Sequence, residues 1–427
     1  MLRGCWVLLG LCACGPQANV EVSHPAAPGF AASSSCAPVA TIEARRDIPF
    51  GFYSVPLAAF DRLAHAGVTM VGPYYGARPS YELLDAAQRA GLGVLYPVGL
   101  EAPRMDDEGR AELVAQIDAV AEHEAVVGWY VLPEELRPWS EAEMLYAARV
   151  QAVVRTHDPL DRPLLSYQPN HRTRDDLASA SASFDRVLRG LYANFVGATE
   201  RRAWVREGAR TIVASAYLDQ DPWAVLEMFE EPAETSRIGA WVRHDVYASL
   251  VVGARGVVVF SGWPRSGFPA YEAYLSAYLE VASELNGPRG LATPLLRGLP
   301  AEPTALEVVD GPARTDAAMG DTPRWVDSVA SRQVHDGGGR WIYTVNSAQQ
   351  AVQVRIALDP TACPAVAVLG PDVREGVIDL PPLGVSVVRV PDATRGAGGA
   401  VHANHGKTDG RARRRPPSVG RVSGLVP

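Results

Sequence analysis

The sequence predicts an α/β protein in which a (β/α)8 TIM barrel is followed by a small antiparallel β-sandwich. Between residues 47 and 290, short apolar segments alternate with helical patterns in eight strand–helix pairs, which is the usual order and size of a TIM barrel. After residue 290 the pattern changes to short strands separated by Gly, Pro and Asp, which is typical of antiparallel sheets. An open doubly wound sheet is the rival architecture, but no GxGxxG dinucleotide fingerprint follows the first strand.

Each barrel strand is predicted from a short apolar run flanked by helical periodicity. The predicted strands are 50–53, 68–75, 94–98, 125–132, 163–167, 186–192, 211–218 and 256–260. The predicted helices are 57–66, 81–90, 108–122, 141–157, 175–182, 199–207, 236–252 and 271–285. Ser80 and Ser140 are expected to cap the second and fourth helices, and Gly91 and Gly208 are expected to end the second and sixth.

The sequence also predicts how the chain divides into five segments, with boundaries after residues 14, 46, 290 and 392. The barrel is expected over residues 47–290 and the β-sandwich over 291–392. The sandwich strands are predicted at 306–309, 341–345, 352–356, 365–369 and 385–390, with a hairpin turn at 336–339. Residues 15–46 are rich in Ala, Pro and Ser, which indicates a flexible linker. Residues 393–427 are rich in Gly, Arg and Pro, which predicts a disordered tail.

Residues 1–14 have the features of a short signal peptide, in which one basic residue precedes an apolar run. Leu11-Cys12-Ala13-Cys14 is similar to a bacterial lipobox and predicts lipid attachment at Cys14. We therefore expect a membrane-anchored lipoprotein of the bacterial cell envelope, with plain secretion or no export as alternatives. The apolar run is too short to span a bilayer, so the lipid is the only membrane contact expected. Cys36 and Cys363 would then remain, as a disulfide or as two free thiols.

Composition excludes several classes of chemistry. The 427-residue chain has a formal net charge of −8, which does not indicate a nucleic-acid partner. Its only lysine, Lys407, lies in the predicted tail, so the folded part lacks the amine needed for Schiff-base or pyridoxal-phosphate chemistry and for a Walker-type phosphate loop. No Cys/His cluster indicates a metal site. We therefore expect neither a cofactor nor a metal ion.

Side chains just past the strand ends are expected to face the active site, because a TIM barrel carries its site at the carboxyl end of its strands. Here they are mostly aromatic, amide and carboxylate groups, a combination that suits sugars. A phosphate site would instead show glycine-rich loops and clustered basic groups. Packing at the barrel rim is the alternative role for the aromatic residues. The candidates for substrate binding are Tyr53, Tyr74, Tyr75, Tyr167, Asn170, His171, Tyr192, Asn194, Tyr217, Trp263 and Arg265.

The fourth predicted strand carries the most specific motif, Gly128-Trp129-Tyr130-Val131-Leu132-Pro133-Glu134-Glu135. It resembles the fourth-strand segment of TIM-barrel glycoside hydrolases and hydrolase-like proteins, where Gly-Trp-Tyr is followed by two residues and then Asp-Glu-Pro. The helix segment Trp241-Val242-Arg243-His244-Asp245, the approach to the last strand at 253–257 and the final β-sandwich fit the same family. The resemblance spans roughly residues 48–392 and implies a carbohydrate substrate.

The resemblance also implies a catalytic role for the strand-four carboxylates. The family's general acid/base aligns with Glu134, and Glu135 is the alternative because it stands where the family has proline. Hydrolysis needs a second carboxylate, which the family commonly places as a glutamate at the end of strand seven. The predicted strand seven has no glutamate, so Asp219 is the candidate, with capping of a following turn as its competing role. Glu134 and Glu135 together would instead suit substrate-assisted hydrolysis of 2-acetamido sugars.

Three functions are therefore open at the level of sequence. The first is a glycoside hydrolase that acts on a poly- or oligosaccharide outside the cytoplasm. The second is a non-catalytic carbohydrate-binding or structural lipoprotein on a degenerate glycosidase barrel, which the missing strand-seven glutamate favours. The third is a non-hydrolytic barrel enzyme such as a lyase or epimerase. Fold alone does not decide among them.

Overall fold

The computed structural model describes residues 47–74, 78–103, 105–230, 234–358 and 363–392. Its first part is a closed barrel of eight parallel strands in chain order, which confirms the predicted TIM barrel. The strands are β1 (Phe50–Phe52), β2 (Met70–Val71), β3 (Gly93–Gly99), β4 (Val126–Leu132), β5 (Leu164–Gln168), β6 (Arg186–Leu191), β7 (Asp221–Glu227) and β8 (Gly256–Phe260). The sheet closes because β1 pairs with both β2 and β8.

Helices follow the strands and cover the outside of the barrel. They are α1 (Phe60–His65), α2 (Tyr81–Ala90), α3 (Asp107–Asp118), α4 (Glu141–His157), α5 (Arg174–Ser181), α6 (Ala203–Ser215), α7 (Ile238–Val251) and α8 (Tyr271–Asn286). Ser80 and Ser140 cap α2 and α4 as predicted, because each Oγ accepts a hydrogen bond from a backbone N–H of the first turn. Gly91 ends α2 with φ +75°, a left-handed conformation that favours glycine.

The predicted sixth helix and seventh strand are wrong. Helix α6 does not end at Gly208 but continues to Ser215, and β7 lies at Asp221–Glu227 rather than at 211–218. Gly208 serves close packing instead of helix termination, since a β-carbon there would lie 2.4 Å from Leu191 Cδ2. The β-branched residues that indicated a strand lie in the helix, because packing against the barrel outweighs their intrinsic preference.

Side chains of the strands alternate between two layers, as strand geometry requires. The residues that point outwards pack with the helices in the larger core. The inner layer fills the barrel, which is therefore a packed core with its site at one end. The buried members of this inner layer are Tyr53, Met70, Leu95, Tyr130, Leu165, Tyr167, Leu188, Trp223, Val225 and Val258.

A short helix, α9 (Ala292–Arg297), leads into the antiparallel part, and the predicted sandwich is confirmed. Its strands are β9 (Leu299–Pro300), β10 (Leu306–Asp310), β11 (Arg314–Asp316), β12 (Trp325–Asp327), β13 (Val329–His335), β14 (Gly339–Asn346), β15 (Val352–Ile356), β16 (Val366–Leu369), β17 (Val373–Arg374), β18 (Val377–Leu380) and β19 (Val385–Pro391). One sheet has the order β10-β15-β18-β17 and the other β16-β19-β14-β13-β9, while β11 and β12 form a separate pair. Strands β10, β14, β15, β16 and β19 were predicted, as was the turn between β13 and β14.

The sandwich packs against the barrel through helices α6 and α7. Helix α7 contacts β13, β14 and β19. Arg206 of α6 donates from Nη2 to the Asp327 carbonyl oxygen at 2.6 Å, and Arg332 of β13 donates to the Leu250 carbonyl oxygen of α7 at 3.1 Å. A buried and a half-buried guanidinium group therefore join the two parts of the chain.

Several predictions for the termini lie outside the described residues, among them the signal peptide, Cys14, the linker and the tail. Cys363 is disulfide-bonded, whereas Cys36, its partner in one of the two alternatives stated above, is also outside the described residues. Within the parts of the chain that the structure describes, no helix is both long and apolar enough to cross a membrane.

Candidate active site

Strand β4 brings the two predicted glutamates to the carboxyl end of the barrel. Glu134 is half-buried and accepts a hydrogen bond from the Tyr130 hydroxyl, whereas Glu135 is exposed and has φ +59°. The Tyr130 hydroxyl also lies 3.1 Å from the Tyr53 hydroxyl. One of the two carboxylates thus leans towards the barrel axis, where the inner-layer tyrosines meet it.

The phenols of this inner layer are held in their neutral form. Burial raises the pKa of Tyr53 well above its usual value of 10, and the nearby charge of Glu134 raises it further. Burial likewise raises the pKa of Tyr167, which forms a hydrogen bond with Tyr192 and also lies near Glu134 and Glu135. Neutral phenols are hydrogen-bond donors, so the site surrounds Glu134 with groups that bond to carboxylates or to sugar hydroxyls.

Two arginines near strand four bind groups other than the side chains of Glu134 and Glu135. Arg137 forms an ion pair with Glu143, and its backbone N–H donates to the same carboxylate at 2.6 Å. Arg172 donates from Nη2 to the backbone carbonyl of Glu135 at 3.2 Å, and its guanidinium carbon lies 4.4 Å from the Trp139 ring centroid. These two guanidinium groups therefore fix the loop after β4 through Glu143, the backbone and an indole ring.

Strand β7 ends in a glutamate, Glu227, which was missed in the sequence because strand seven was predicted too early. The side chain is only 2% exposed. Its Oε1 accepts from the backbone N–H of Asn194 at 2.6 Å, and its Oε2 accepts from that of Phe195 at 3.3 Å. Burial raises the pKa of Glu227 to about 7, although the positive charge of Arg202 opposes this rise. The strand-seven carboxylate therefore holds the loop that follows β6.

Behind Glu227, Arg202 connects the strand ends to helix α7. Its Nη1 lies 3.7 Å from Glu227 Oε1 and donates to Asp245 Oδ2 at 2.6 Å, while its Nη2 donates to Asn194 Oδ1 at 2.6 Å. The guanidinium carbon also lies 4.7 Å from the Trp241 ring centroid. An arginine in this position compensates two buried carboxylates, which would otherwise be costly to bury.

His244 extends the same network into the β-sandwich. Burial lowers the pKa of His244 below its usual 6.5, so the ring is neutral near pH 7 and has one donor and one acceptor nitrogen. Nδ1 lies 2.8 Å from Asp245 Oδ1 and Nε2 lies 3.0 Å from Ser347 Oγ. Because a carboxylate only accepts, Nδ1–H donates to Asp245, and Nε2 accepts from Ser347. Arg206 Nη1 in turn donates to Ser347 Oγ at 3.2 Å.

The Ser347–His244–Asp245 arrangement has the hydrogen-bond order of a catalytic triad. All three residues are buried, and Ser347 is already bonded to Arg206. No acyl substrate can reach a serine in that environment, so the arrangement is structural. It joins the sandwich to the barrel end that carries Glu227.

Most of the predicted binding residues lie at the strand ends where they were expected. Six of them follow the strands to which they were assigned, namely Tyr53, Tyr74, Asn170, His171, Tyr192 and Asn194, and Tyr167 is the fourth residue of β5. Trp263 and Arg265 follow β8 and are exposed. Two of the predicted binding residues donate to backbone carbonyl oxygens: Tyr74 to that of Val55 at 3.0 Å, and Arg265 to that of Met228 at 3.1 Å. Tyr75 lies outside the described residues.

Tyr217 and Asp219 were placed wrongly. They lie in the connection between α6 and β7, which is the amino-terminal end of the strand and the opposite end of the barrel from the glutamates. Pro222, three residues after Asp219, is already the second residue of β7. The error in strand seven therefore made Asp219, rather than Glu227, the candidate at the end of that strand.

Aromatic residues on the loops at this end were also missed. Phe195 follows β6, Phe229 follows β7 and Trp139 follows β4. Phe229 lies 5.8 Å from Phe195, 5.0 Å from Tyr192 and 5.5 Å from Phe260, measured between ring centroids. Their positions in loops with no regular pattern explain why periodicity did not reveal them, although the corrected strand seven would have pointed to Phe229.

Among the described residues, no group of three or more His, Cys, Asp or Glu side chains is arranged to hold a metal ion. The arrangement at the carboxyl end instead offers a half-buried carboxylate, an exposed carboxylate, neutral phenols and exposed rings. Chemically, it can transfer protons and stack against flat apolar surfaces.

No protein-family model matches the sequence, and neither does any curated protein. Comparison with solved structures finds many proteins with the same architecture. Amy13B of Eubacterium rectale matches with a TM-score of 0.54 at 8% identity, covering 82% of this chain and 96% of that chain. An α-amylase from Geobacillus thermoleovorans, solved with acarbose, matches with a TM-score of 0.51 at 8% identity, covering 81% and 98%.

A family 39 glycoside hydrolase from Bacteroides cellulosilyticus WH2 has a TM-score of 0.51 at 13% identity, covering 80% of this chain and 81% of that one. The chain thus has the barrel-and-sandwich architecture found in glycoside hydrolases. At these identities the likeness establishes the fold and does not carry over an activity.

Proposed function

We propose that the protein is a glycoside hydrolase acting on a poly- or oligosaccharide, with Glu134 as the general acid/base. The observation that carries this proposal is the position of Glu134: it is half-buried at the end of β4, it is bonded by Tyr130, and further tyrosines lie beside it. General acid/base catalysis needs a carboxyl group that substrate can reach and that neighbouring groups hold in place. The similarity of the fold to an α-amylase solved with acarbose supports a carbohydrate substrate.

The second carboxylate is assigned to Glu227 rather than to Asp219. Glu227 ends β7, where the resembling enzymes commonly carry their second glutamate. Hydrolysis by two carboxylates requires them to flank the scissile bond. A pKa of about 7 suits a group that exchanges protons near neutral pH. Glu135, exposed beside Glu134, remains the alternative partner and would suit the substrate-assisted route.

The test is the release of reducing ends from a panel of polysaccharides by the full chain and by Glu134→Gln, Glu135→Gln and Glu227→Gln. Loss of a positioned general acid is expected to reduce the rate by about 100-fold or more, with the circular dichroism spectrum unchanged. Glu82→Gln, an exposed residue in the first turn of α2, is the matched control and keeps full activity. Wild-type rates in both Glu134→Gln and Glu135→Gln would refute the proposed mechanism.

One observation favours a second function, that of a non-catalytic carbohydrate-binding protein. Both oxygens of Glu227 are taken by backbone N–H groups, and the side chain is almost fully buried. A carboxylate in this role holds a loop and does not meet a substrate unless that loop moves. Under this function the chain binds glycans but releases no sugar from any glycan that it binds, and Glu134→Gln leaves binding unchanged.

We also propose that the protein is exported and anchored through a lipid on Cys14, as the lipobox-like sequence suggests. Metabolic labelling of a bacterial host with radioactive palmitate tests this. Label is expected in the full chain and absent in Cys14→Ser, and an unlabelled full chain would contradict the anchor.

A further inference from the structure

Most of the exposed tryptophan and phenylalanine side chains of the described residues lie at one end of the barrel. Among the described residues, the exposed tryptophan and phenylalanine side chains are Trp139 (66%), Phe195 (62%), Trp263 (54%) and Trp325 (56%). The first three follow β4, β6 and β8 on the face that carries Glu134, and the fourth is in the sandwich strand β12. Several exposed rings on one face indicate a binding surface, whereas single exposed rings do not.

Two of these rings, Trp139 and Trp263, follow strands on opposite sides of the barrel. The eight strands neighbour one another in chain order around a closed barrel, so β4 and β8 are four strands apart in either direction. Trp139, which follows β4, is therefore across the mouth from Trp263, which follows β8. Glu134 follows β4 and leans towards the axis between them, since it is bonded to Tyr130.

Trp139 is held as a flat platform. The Arg172 guanidinium carbon lies 4.4 Å from the ring centroid, so the guanidinium covers one face of the indole. Arg172 is itself buried and tied to the Glu135 carbonyl oxygen. The ring is 66% exposed, which leaves much of its surface to solvent. A ring fixed from behind loses little side-chain entropy when a ligand stacks on it.

A series of aromatic rings runs inwards from the loop after β6. Exposed Phe195 lies 5.8 Å from Phe229, which lies 5.5 Å from Phe260, and Phe260 lies 5.3 Å from Tyr53. The Tyr53 hydroxyl reaches Tyr130, the donor to Glu134. A continuous series of rings therefore leads from the solvent to the half-buried carboxylate.

We propose that the barrel mouth binds an internal stretch of a glycan chain, which crosses over Glu134 from the rim at Trp139 to the opposite rim at Trp263. This inference rests on the proposed carbohydrate function and specifies its substrate as a polymer held on both sides of the reacting bond. Aromatic rings stack on the apolar faces of sugar rings, and the phenols and carboxylates between the rims can bond hydroxyl groups. A ligand of one or two sugar units would reach only one rim.

Affinity electrophoresis of the full chain in gels containing soluble starch, xylan, carboxymethylcellulose or polygalacturonate tests this surface. At least one polymer is expected to retard the chain, and Trp139→Ala and Trp263→Ala are each expected to weaken that binding by about tenfold. Trp325→Ala, with a similarly exposed indole on the sandwich, is the matched control and binds as wild type. The disaccharide of the retarding polymer is expected to be bound more weakly and to be affected by one of the two variants only.

Three kinds of outcome contradict the inference. If no polymer retards the chain, or if Trp325→Ala weakens binding equally, the surface is not the glycan site. Dependence on only one of Trp139 and Trp263 indicates a pocket that binds a chain end. If the two substitutions abolish self-association or protein binding but not retardation, the rings serve a protein interface. Retardation without release of sugar supports this inference and refutes the proposed hydrolysis. Release of sugar together with dependence on only one of the two tryptophans supports hydrolysis and refutes this inference.

Discussion

Ser347 Oγ, in the β-sandwich, lies 3.0 Å from His244 Nε2, in barrel helix α7. Through Asp245 and Arg202 this bond is connected to Glu227 at the end of β7. The sandwich thus contributes to the polar network behind the carboxyl end of the barrel. Buried hydrogen bonds between polar side chains join the two parts of the chain.

Replacing Ser347 with alanine is expected to destabilise the whole chain by about 1–3 kcal/mol, because His244 Nε2 and an Arg206 N–H both lose a buried partner. Urea unfolding measures this. Ser386→Ala is the matched control, since the buried Ser386 hydroxyl has no hydrogen-bond partner among the described residues and its removal is expected to be nearly neutral. Equal effects of the two substitutions would show that the His244 bond contributes nothing.

The stability of the protein is expected to depend on pH through Glu227. A glutamate titrates near 4.5 when unfolded, and burial raises the pKa of Glu227 to about 7 in the folded state. Between these values the folded state binds more protons than the unfolded state, so the free energy of unfolding falls as pH rises. The contribution is fully present below pH 4.5 and is lost as pH rises through 7, by about 3 kcal/mol in total.

Glu227→Gln isolates this contribution, because glutamine does not titrate. Urea unfolding of wild type and variant from pH 4.5 to pH 8 is expected to show a difference in free energy that changes with pH over the window set by Glu227. A difference that stays constant across that window would mean that Glu227 ionises in the folded state as it does in the unfolded chain.

Gly208→Ala is expected to destabilise the protein by about 1–3 kcal/mol, because the new methyl group would meet Leu191 Cδ2 at 2.4 Å in a packed core. Gly239→Ala provides the control: this glycine is also in a helix, α7, but nothing among the described residues lies within 4 Å of the position that a β-carbon would take there. That substitution is expected to stabilise the protein by up to about 1 kcal/mol, as helix propensity dictates. Thermal unfolding of both variants is the measurement, and a stabilised Gly208→Ala would contradict the packing argument.

Tyr130→Phe is expected to cost about 1.5–3 kcal/mol, because it removes a buried donor to the Glu134 carboxylate. Tyr343→Phe is the comparison, since its hydroxyl donates to the neutral Leu291 carbonyl oxygen at 2.7 Å and its loss is expected to cost about 1 kcal/mol. Urea unfolding above pH 6 compares them. A Tyr130→Phe cost no larger than that of Tyr343→Phe would indicate that the bond to Glu134 is not charge-assisted.

Local sequence signals located most of the barrel. The apolar run at Val126–Leu132 and the serine caps at Ser80 and Ser140 act within one element, so they are visible without knowledge of what packs against them. The strand-four motif also identified Glu134 and Glu135 as neighbours of the site. The order of the strands alone also assigned Tyr53, Tyr167 and Tyr192 to the carboxyl end of the barrel.

Glu227 could not be identified as a candidate from local signals, because Gly208 was misinterpreted as the end of a helix. Gly208 has the sequence signature of a helix end, but it is required by the side chain of Leu191 on the neighbouring strand. That single misassignment ended α6 early, moved strand seven towards the amino terminus and replaced Glu227 with Asp219 as the candidate.

By itself, the sequence determined the class of fold, the strand that carries the two candidate glutamates and the aromatic character of the barrel end, because periodicity and capping are local properties. Only the tertiary structure decided where strand seven ends, what surrounds Glu227 and which rings contact Phe229. Those features depend on contacts between residues that are distant in the chain, such as Arg202 with Asp245 and His244 with Ser347, and no local pattern encodes such contacts.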